Sequence, residues 1–124
     1  MKSLTAAKLF KSLSESLRLR IVRLLRQEEL NGHELQTVLE VPQSTLSRHL
    51  TVLKEIGLIE TRRQGAWSFF RLAHPEILNG KSELLVDLVD QLTADDREAA
   101  GDRERLEAVL EERRRAVREH FEGA

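Results

Sequence analysis

The sequence predicts a mainly α fold carrying one small β-hairpin, and three observations carry that prediction. Apolar residues recur at helical spacing throughout the segment before Gly57. Between Leu58 and Leu72 the pattern changes to two short strand-like runs either side of Gln64-Gly65, with Trp67, Phe69 and Phe70 in the returning run. Helical spacing returns after Pro75, where Ile77, Leu78, Leu84, Leu85, Leu88, Val89 and Leu92 form a wide apolar stripe.

The helices follow in order. Leu4 to Leu13 is a short amphipathic stretch with Ala7, Leu9, Phe10 and Leu13 near one face. Ser16 is placed to cap a second helix, in which Leu17, Ile21, Leu24 and Leu25 recur while Arg18, Arg20, Arg23 and Arg26 lie elsewhere on the cylinder. Asn31-Gly32 interrupts the pattern. A third helix runs from about His33 to Leu39, and Val41-Pro42 marks a turn, with proline suited to the first turn of the helix that follows. That fourth helix spans about Gln43 to Ile56. Leu46, Leu50 and Leu53 form its inward stripe, and Gly57 ends it. Thr93 to Asp102 reads as a polar break, and Arg103 to Phe121 as a last helix carrying Leu106, Val109, Leu110, Val117 and Phe121.

Composition narrows the functions open to such a chain. Its 124 residues suit one compact unit. The absence of cysteine excludes a disulfide framework, a thiolate metal or iron–sulfur site and a cysteine nucleophile. No apolar run approaches the roughly 20 residues that cross a bilayer, so a cytoplasmic protein is expected. The net charge of −1 conceals an asymmetry. Residues 1–74 carry 12 basic and 7 acidic side chains, a net of +5, whereas residues 75–124 carry 8 and 14, a net of −6. A basic working surface, suited to nucleic acid, would then be attached to an acidic segment.

The fourth helix is the most informative element. Gln43, Ser44, Thr45, Ser47, Arg48 and Thr51 give its outer face short donors and acceptors plus one guanidinium, the groups that reach base edges and phosphates in a major groove. The hairpin brings Arg62, Arg63 and Gln64 to an exposed tip, while Leu58, Phe70 and Leu72 pack on the helices. Each feature alone has a plainer reading, a solvated helix face or a common arginine pair. In this order they compose a winged helix-turn-helix: residues 1–74 as DNA-binding domain and 75–124 as a helical extension segment whose apolar stripe wants a partner. The fourth helix would enter the major groove, and the wing would reach the backbone or minor groove beside it.

Over about residues 4–74 the chain resembles the ArsR/SmtB-type winged-helix regulators of bacteria. The resemblance rests on Leu9-Phe10-Lys11-Ser12-Leu13-Ser14 with Arg18-Leu19-Arg20-Ile21, on the run from Gln43 to Leu50, on Gly57-Leu58-Ile59 and on the run from Arg62 to Leu72. It implies a transcriptional regulator, a repressor in type, with Gln43, Ser44, Ser47, Arg48 and His49 at DNA-contacting positions. For His49, which immediately precedes inward Leu50, two readings stand: a buried, hydrogen-bonded histidine or a phosphate ligand. The resemblance also implies a winged helix-turn-helix with C-terminal dimerisation helices, residues 75–124 being a helical dimerisation and extension segment, in a homodimer whose first and last helices pair, bound to an inverted-repeat operator in double-stranded DNA.

The chain departs from that pattern in two places. Metal-sensing relatives carry a Cys-x-Cys pair where this chain reads from Glu29 to Leu35, so soft-metal sensing has no thiolate ligands. Asp87 and Asp90 are present, but no histidine follows in that helix, and His33, His49, His74 and His120 lack paired ligand spacing. No metal, cofactor or catalytic residue is expected, and the signal is of another, unidentified kind. The long C-terminal segment, with Arg113-Arg114-Arg115 expected on a solvated face interleaved with glutamate, weakly resembles the helix joining such regulators to an S-adenosylmethionine-type domain. The alternatives are the DNA-binding fragment of such a fusion, or a winged helix that docks a protein through the Leu84–Leu92 stripe and the last helix. The polar fourth helix disfavours the docking reading.

Overall fold

The computed structural model describes residues 5–73 and 80–122. Among them, helices α1 (Ala6–Ser12), α2 (Ser16–Gln27), α3 (Gly32–Leu39) and α4 (Gln43–Glu55) precede the hairpin, and α5 (Ser82–Thr93) and α6 (Ala99–Glu122) follow it. The sheet has three antiparallel strands: β1 (Leu30–Asn31), β2 (Ile59–Gln64) and β3 (Trp67–Leu72), in the order β1-β3-β2. The third strand is an addition to the expected two-stranded hairpin. Leu30 pairs with Phe70 and Asn31 with Phe69, a ladder too short to show any periodicity in sequence.

Local chemistry accounts for most element boundaries. Thr5 caps α1 by accepting from the Lys8 backbone N–H at 3.2 Å. Ser16 does not cap α2. It is the first helical residue, and the preceding Glu15 makes no side-chain cap bond. Asn31 is more than an interruption: its Oδ1 accepts from the Glu34 N–H at 2.8 Å while Glu34 Oε1 accepts from the Asn31 N–H at 2.9 Å, a reciprocal capping box. Between α3 and α4, Glu40 adopts a left-handed conformation with φ of 57°, and Pro42 takes the position before α4. The hairpin turn is Gly65-Ala66, one residue later than expected. Gln64 pairs with Trp67, and the first turn residue, Gly65, has φ of +60°, as a tight two-residue turn with glycine first requires.

One hydrophobic core runs through the described residues. Ile21, Val22, Leu35, Val38, Leu50 and Leu53 form its centre between α2, α3 and α4, and Leu58 and Ile59 continue it to the hairpin base. Phe70 and Leu72 pack against it as anticipated. Val86 and Val89 of α5 and Leu106 of α6 belong to the same cluster, so both C-terminal helices share the core of residues 1–74. The last helix starts four residues earlier than expected, because Ala99 and Asp102 are buried against the body rather than lying in a polar break. Ile77 and Leu78 of the anticipated stripe lie outside the described residues. Leu84, Leu88 and Leu92, spaced by four along α5, are 67%, 47% and 72% exposed.

Candidate nucleic-acid interface

Helix α4 divides into two faces. Leu46, His49, Leu50 and Leu53 are buried, while Gln43, Ser44, Ser47 and Arg48 are exposed and Thr45 is half-buried. Thr51 is less free than the sequence suggests, since its hydroxyl donates to the Ser47 carbonyl at 2.8 Å. His49 resolves to the first of its two readings. It is 5% exposed, and its Nδ1 accepts from Arg18 Nε at 3.0 Å. The proton of the neutral ring then sits on Nε2. Burial, joined by the charges of Arg18 and Arg48 against the weaker pull of Glu15, holds the imidazole below its ordinary pKa. A signal for this inward position was present in the sequence: His49 lies three residues after Leu46 and four before Leu53, inside the apolar stripe.

The arginines of the basic half have separate fates. Arg18 also donates to the Ser12 carbonyl, tying the end of α1 to α2 and α4. Arg20 forks onto Asp102 of α6, Arg23 meets Asp90 and the Thr93 carbonyl, and Arg26 bridges Asp87 and Asp90. Three positive charges of the basic half, on Arg20, Arg23 and Arg26, are therefore neutralised inside the molecule, binding α2 to α5 and α6. Arg48 of α4 and Arg63 of the wing, by contrast, form no hydrogen bond or ion pair among the described residues.

The two wing arginines differ because strand side chains alternate. Arg63 pairs across the hairpin with Ser68 and is exposed. Arg62 pairs with Phe69 on the opposite face, where it is half-buried. Its Nε donates to Glu29 Oε1 at 2.5 Å, its Nη1 donates to Gln64 Oε1 at 2.8 Å, and its guanidinium lies 5.0 Å from the Phe69 ring centroid. Arg62 is thus not the free tip residue that the sequence suggested. Between α4 and the wing lies an open groove of about 300 Å³, lined by His33, Gln43, Ser47, Trp67 and Ser68 among others. Trp67 stands 55% exposed at its edge. Exposed donors on a helix beside a wing, over a groove carrying an aromatic ring, can meet base edges on one side and sugar-phosphate on the other.

Asp87 and Asp90 hold arginines, and no cluster of three or more metal-ligating residues occurs among the described residues. No helix of the described residues is long and apolar enough to cross a membrane.

Known proteins share this architecture. The model of the family described as bacterial regulatory protein, arsR family, matches residues 15–61, from α2 into β2. The chain is 40% identical over 88 residues to the arsenic resistance transcriptional regulator ArsR1 of Pseudomonas putida, covering 70% of this chain and 68% of that protein. Among solved structures, the transcriptional repressor BigR from Xylella fastidiosa is similar with a TM-score of 0.62 and 34% identity, over 73% of this chain and 85% of that one. A homodimeric winged helix-turn-helix DNA-binding domain from Mycobacterium bovis is similar with a TM-score of 0.57 and 28% identity, over 73% and 84% of the two chains. The chain belongs to the arsR family of winged helix-turn-helix proteins, and is a DNA-binding transcriptional regulator rather than an enzyme.

Proposed function

We propose that the chain acts as a homodimeric repressor that binds an inverted-repeat operator and answers to a signal other than a thiolate-bound metal. The observation that carries this reading is the separation of charge: Arg20, Arg23 and Arg26 of α2 are occupied by acidic partners, while Arg48 and Arg63 have no hydrogen-bond or ion-pair partner among the described residues and stand beside the polar face of α4. Gln43, Ser44, Thr45, Ser47 and Arg48 would meet the major groove, with Arg63 and Gln64 on the flanking backbone. His49 and Arg62 would act indirectly, the first by seating α4 and the second by stiffening the wing. Residues 1–74 would carry this surface, and 75–124 the dimer contact, joined by α1.

Three things support the dimer: the exposed Leu84, Leu88 and Leu92 stripe, Phe10 of α1 at 60% exposure, and the homodimeric Mycobacterium bovis relative. Two copies related by a two-fold axis would present two α4 helices to half-sites of matching symmetry. The absence of cysteine removes soft-metal ligands, which leaves a signal of other chemistry.

The test is selection of binding sites from a random duplex pool by the purified protein at near-physiological salt. Enrichment of an inverted repeat is the expected result. Bulk, salt-sensitive binding without enrichment would overturn the operator reading and favour a protein-docking role.

A further inference from the structure

The feature left unused by the DNA-binding surface is the contact between the last helix and the wing. Arg113 was expected on a solvated face with Arg114 and Arg115, and those two do form exposed pairs with Glu111 and Glu112 of their own helix. Arg113 instead turns inward. Its Nε and Nη2 fork onto Glu34 at 3.0 and 2.5 Å, and Nη2 also donates to the Glu29 carbonyl at 3.1 Å. Its guanidinium lies 5.9 Å from the centroid of Phe69.

These contacts converge on the groups that hold the wing. Glu34 is the same residue that closes the capping box of α3. Glu29, whose carbonyl Arg113 holds, uses its carboxylate to hold Arg62. Phe69, the cross-strand partner of Arg62, lies near both guanidinium groups. One side chain of α6 therefore touches the start of α3, the segment before β1 and the central strand of the sheet. A planar five-donor fork is suited to such a task, because it binds carboxylate and carbonyl together while stacking on a ring.

We propose that Arg113 is a positioning residue for DNA binding: through Glu29, Glu34 and Phe69 it fixes the orientation of the wing, making α6 a working part of the DNA-binding unit. The inference rests on the DNA-binding reading above and deepens it. Arg113 carries no DNA contact of its own in this arrangement. Its loss should lower affinity without removing a phosphate contact.

The experiment measures binding to the selected operator across a salt series for the full-length wild type, Arg113→Ala, Arg62→Ala and the double variant, with Arg63→Ala as a direct-contact control. Arg113→Ala should weaken binding on the order of threefold to tenfold. Its salt slope should stay within that of the wild type, whereas Arg63→Ala should lose about 0.9 in slope. The effects of Arg113→Ala and Arg62→Ala should be markedly less than additive, a coupling that a merely structural role would not produce. Arg113→Lys, which keeps the charge but not the fork, guards against loss of folding in the alanine variant and should be weakened in the same direction. Wild-type affinity in both Arg113 variants, or full additivity with Arg62→Ala, would overturn this inference alone. Failure of the wild type to select any sequence would overturn the DNA-binding reading along with it.

Discussion

Arg20 of α2 and Asp102 of α6 form a two-bonded ion pair, with Nε to Oδ2 at 2.9 Å and Nη2 to Oδ1 at 2.7 Å, across 82 residues of sequence. Their side chains are only 19% and 10% exposed, and Arg105 adds a third donor to the same carboxylate. The hydrogen bond to Asp102 outweighs burial and raises the Arg20 pKa further. Asp102→Ala would leave the half-buried Arg20 guanidinium without its ion-pair partner, with only the Leu39 carbonyl and the weaker influence of Glu98 and Glu40 to offset it. A loss of about 2–4 kcal/mol is expected, read by urea denaturation. Replacing both residues with apolar side chains of similar size should cost less than the single change, because the stranded charge goes with its partner. A double variant no more stable than Asp102→Ala would show that packing, rather than the orphaned charge, sets the cost.

His49 should make the fold sensitive to mild acid. Its pKa is depressed in the folded state, so the unfolded chain binds the proton more readily. The associated stability is present above the ordinary histidine value of about 6.5 and is lost as pH falls below it toward the depressed folded value. Protonation also removes the Nδ1 lone pair that accepts from Arg18. Urea midpoints at pH 7.5 and 5.5 should fall more for the wild type than for His49→Gln, which cannot titrate. Equal falls in the two proteins would remove His49 as the source.

On the DNA-facing side, direct readers should differ from supporters. Ser47→Ala or Arg48→Ala should each cost about 1–3 kcal/mol against the operator if it reads a base, with relaxed preference at one position of each half-site. Arg63→Ala should weaken all sequences alike. Equilibrium binding to the operator and to single-base variants separates these outcomes, and unchanged sequence preference in both α4 variants would contradict the recognition-helix assignment.

The α5 stripe gives a prediction about assembly. Leu88→Glu places a charge at the middle of Leu84, Leu88 and Leu92 without disturbing the monomer core, since Leu88 is 47% exposed there. Light scattering at micromolar concentration should give twice the 14.3 kDa chain mass for the wild type and a mass near 14.3 kDa for the variant. Operator affinity should fall with the mass, because one α4 then binds without its partner. A wild type that is monomeric at that concentration would exclude this stripe as a dimer face.

Most of the fold was legible in the sequence because its signals are local. Leu46, Leu50 and Leu53 mark the buried side of α4 by helical spacing, Pro42 and Gly57 bound it, and Trp67 to Leu72 read as a strand after a glycine turn. The polar face of α4 follows from the same arithmetic, since a residue off the apolar stripe of a packed helix faces outward. What escaped was of two kinds. The two-residue strand at Leu30 and Asn31 and the capping box of Asn31 with Glu34 are too short for periodicity to detect.

The larger omission concerns charge. Composition shows a basic half and an acidic half, and helical spacing places Arg18, Arg20, Arg23 and Arg26 off the apolar stripe; neither states which arginine finds a carboxylate. Asp102 lies 82 residues from Arg20 and Glu34 lies 79 from Arg113. Likewise Arg62 and Arg63 are adjacent and alike in sequence, yet the pleat sends one toward Glu29 and Phe69 and the other into solvent. Local spacing sets which face a side chain takes. Only the packing of α5, α6 and the sheet around α2 and α3 decides which charges are neutralised and which remain to meet a polyanion, because pairing depends on distance in space rather than along the chain.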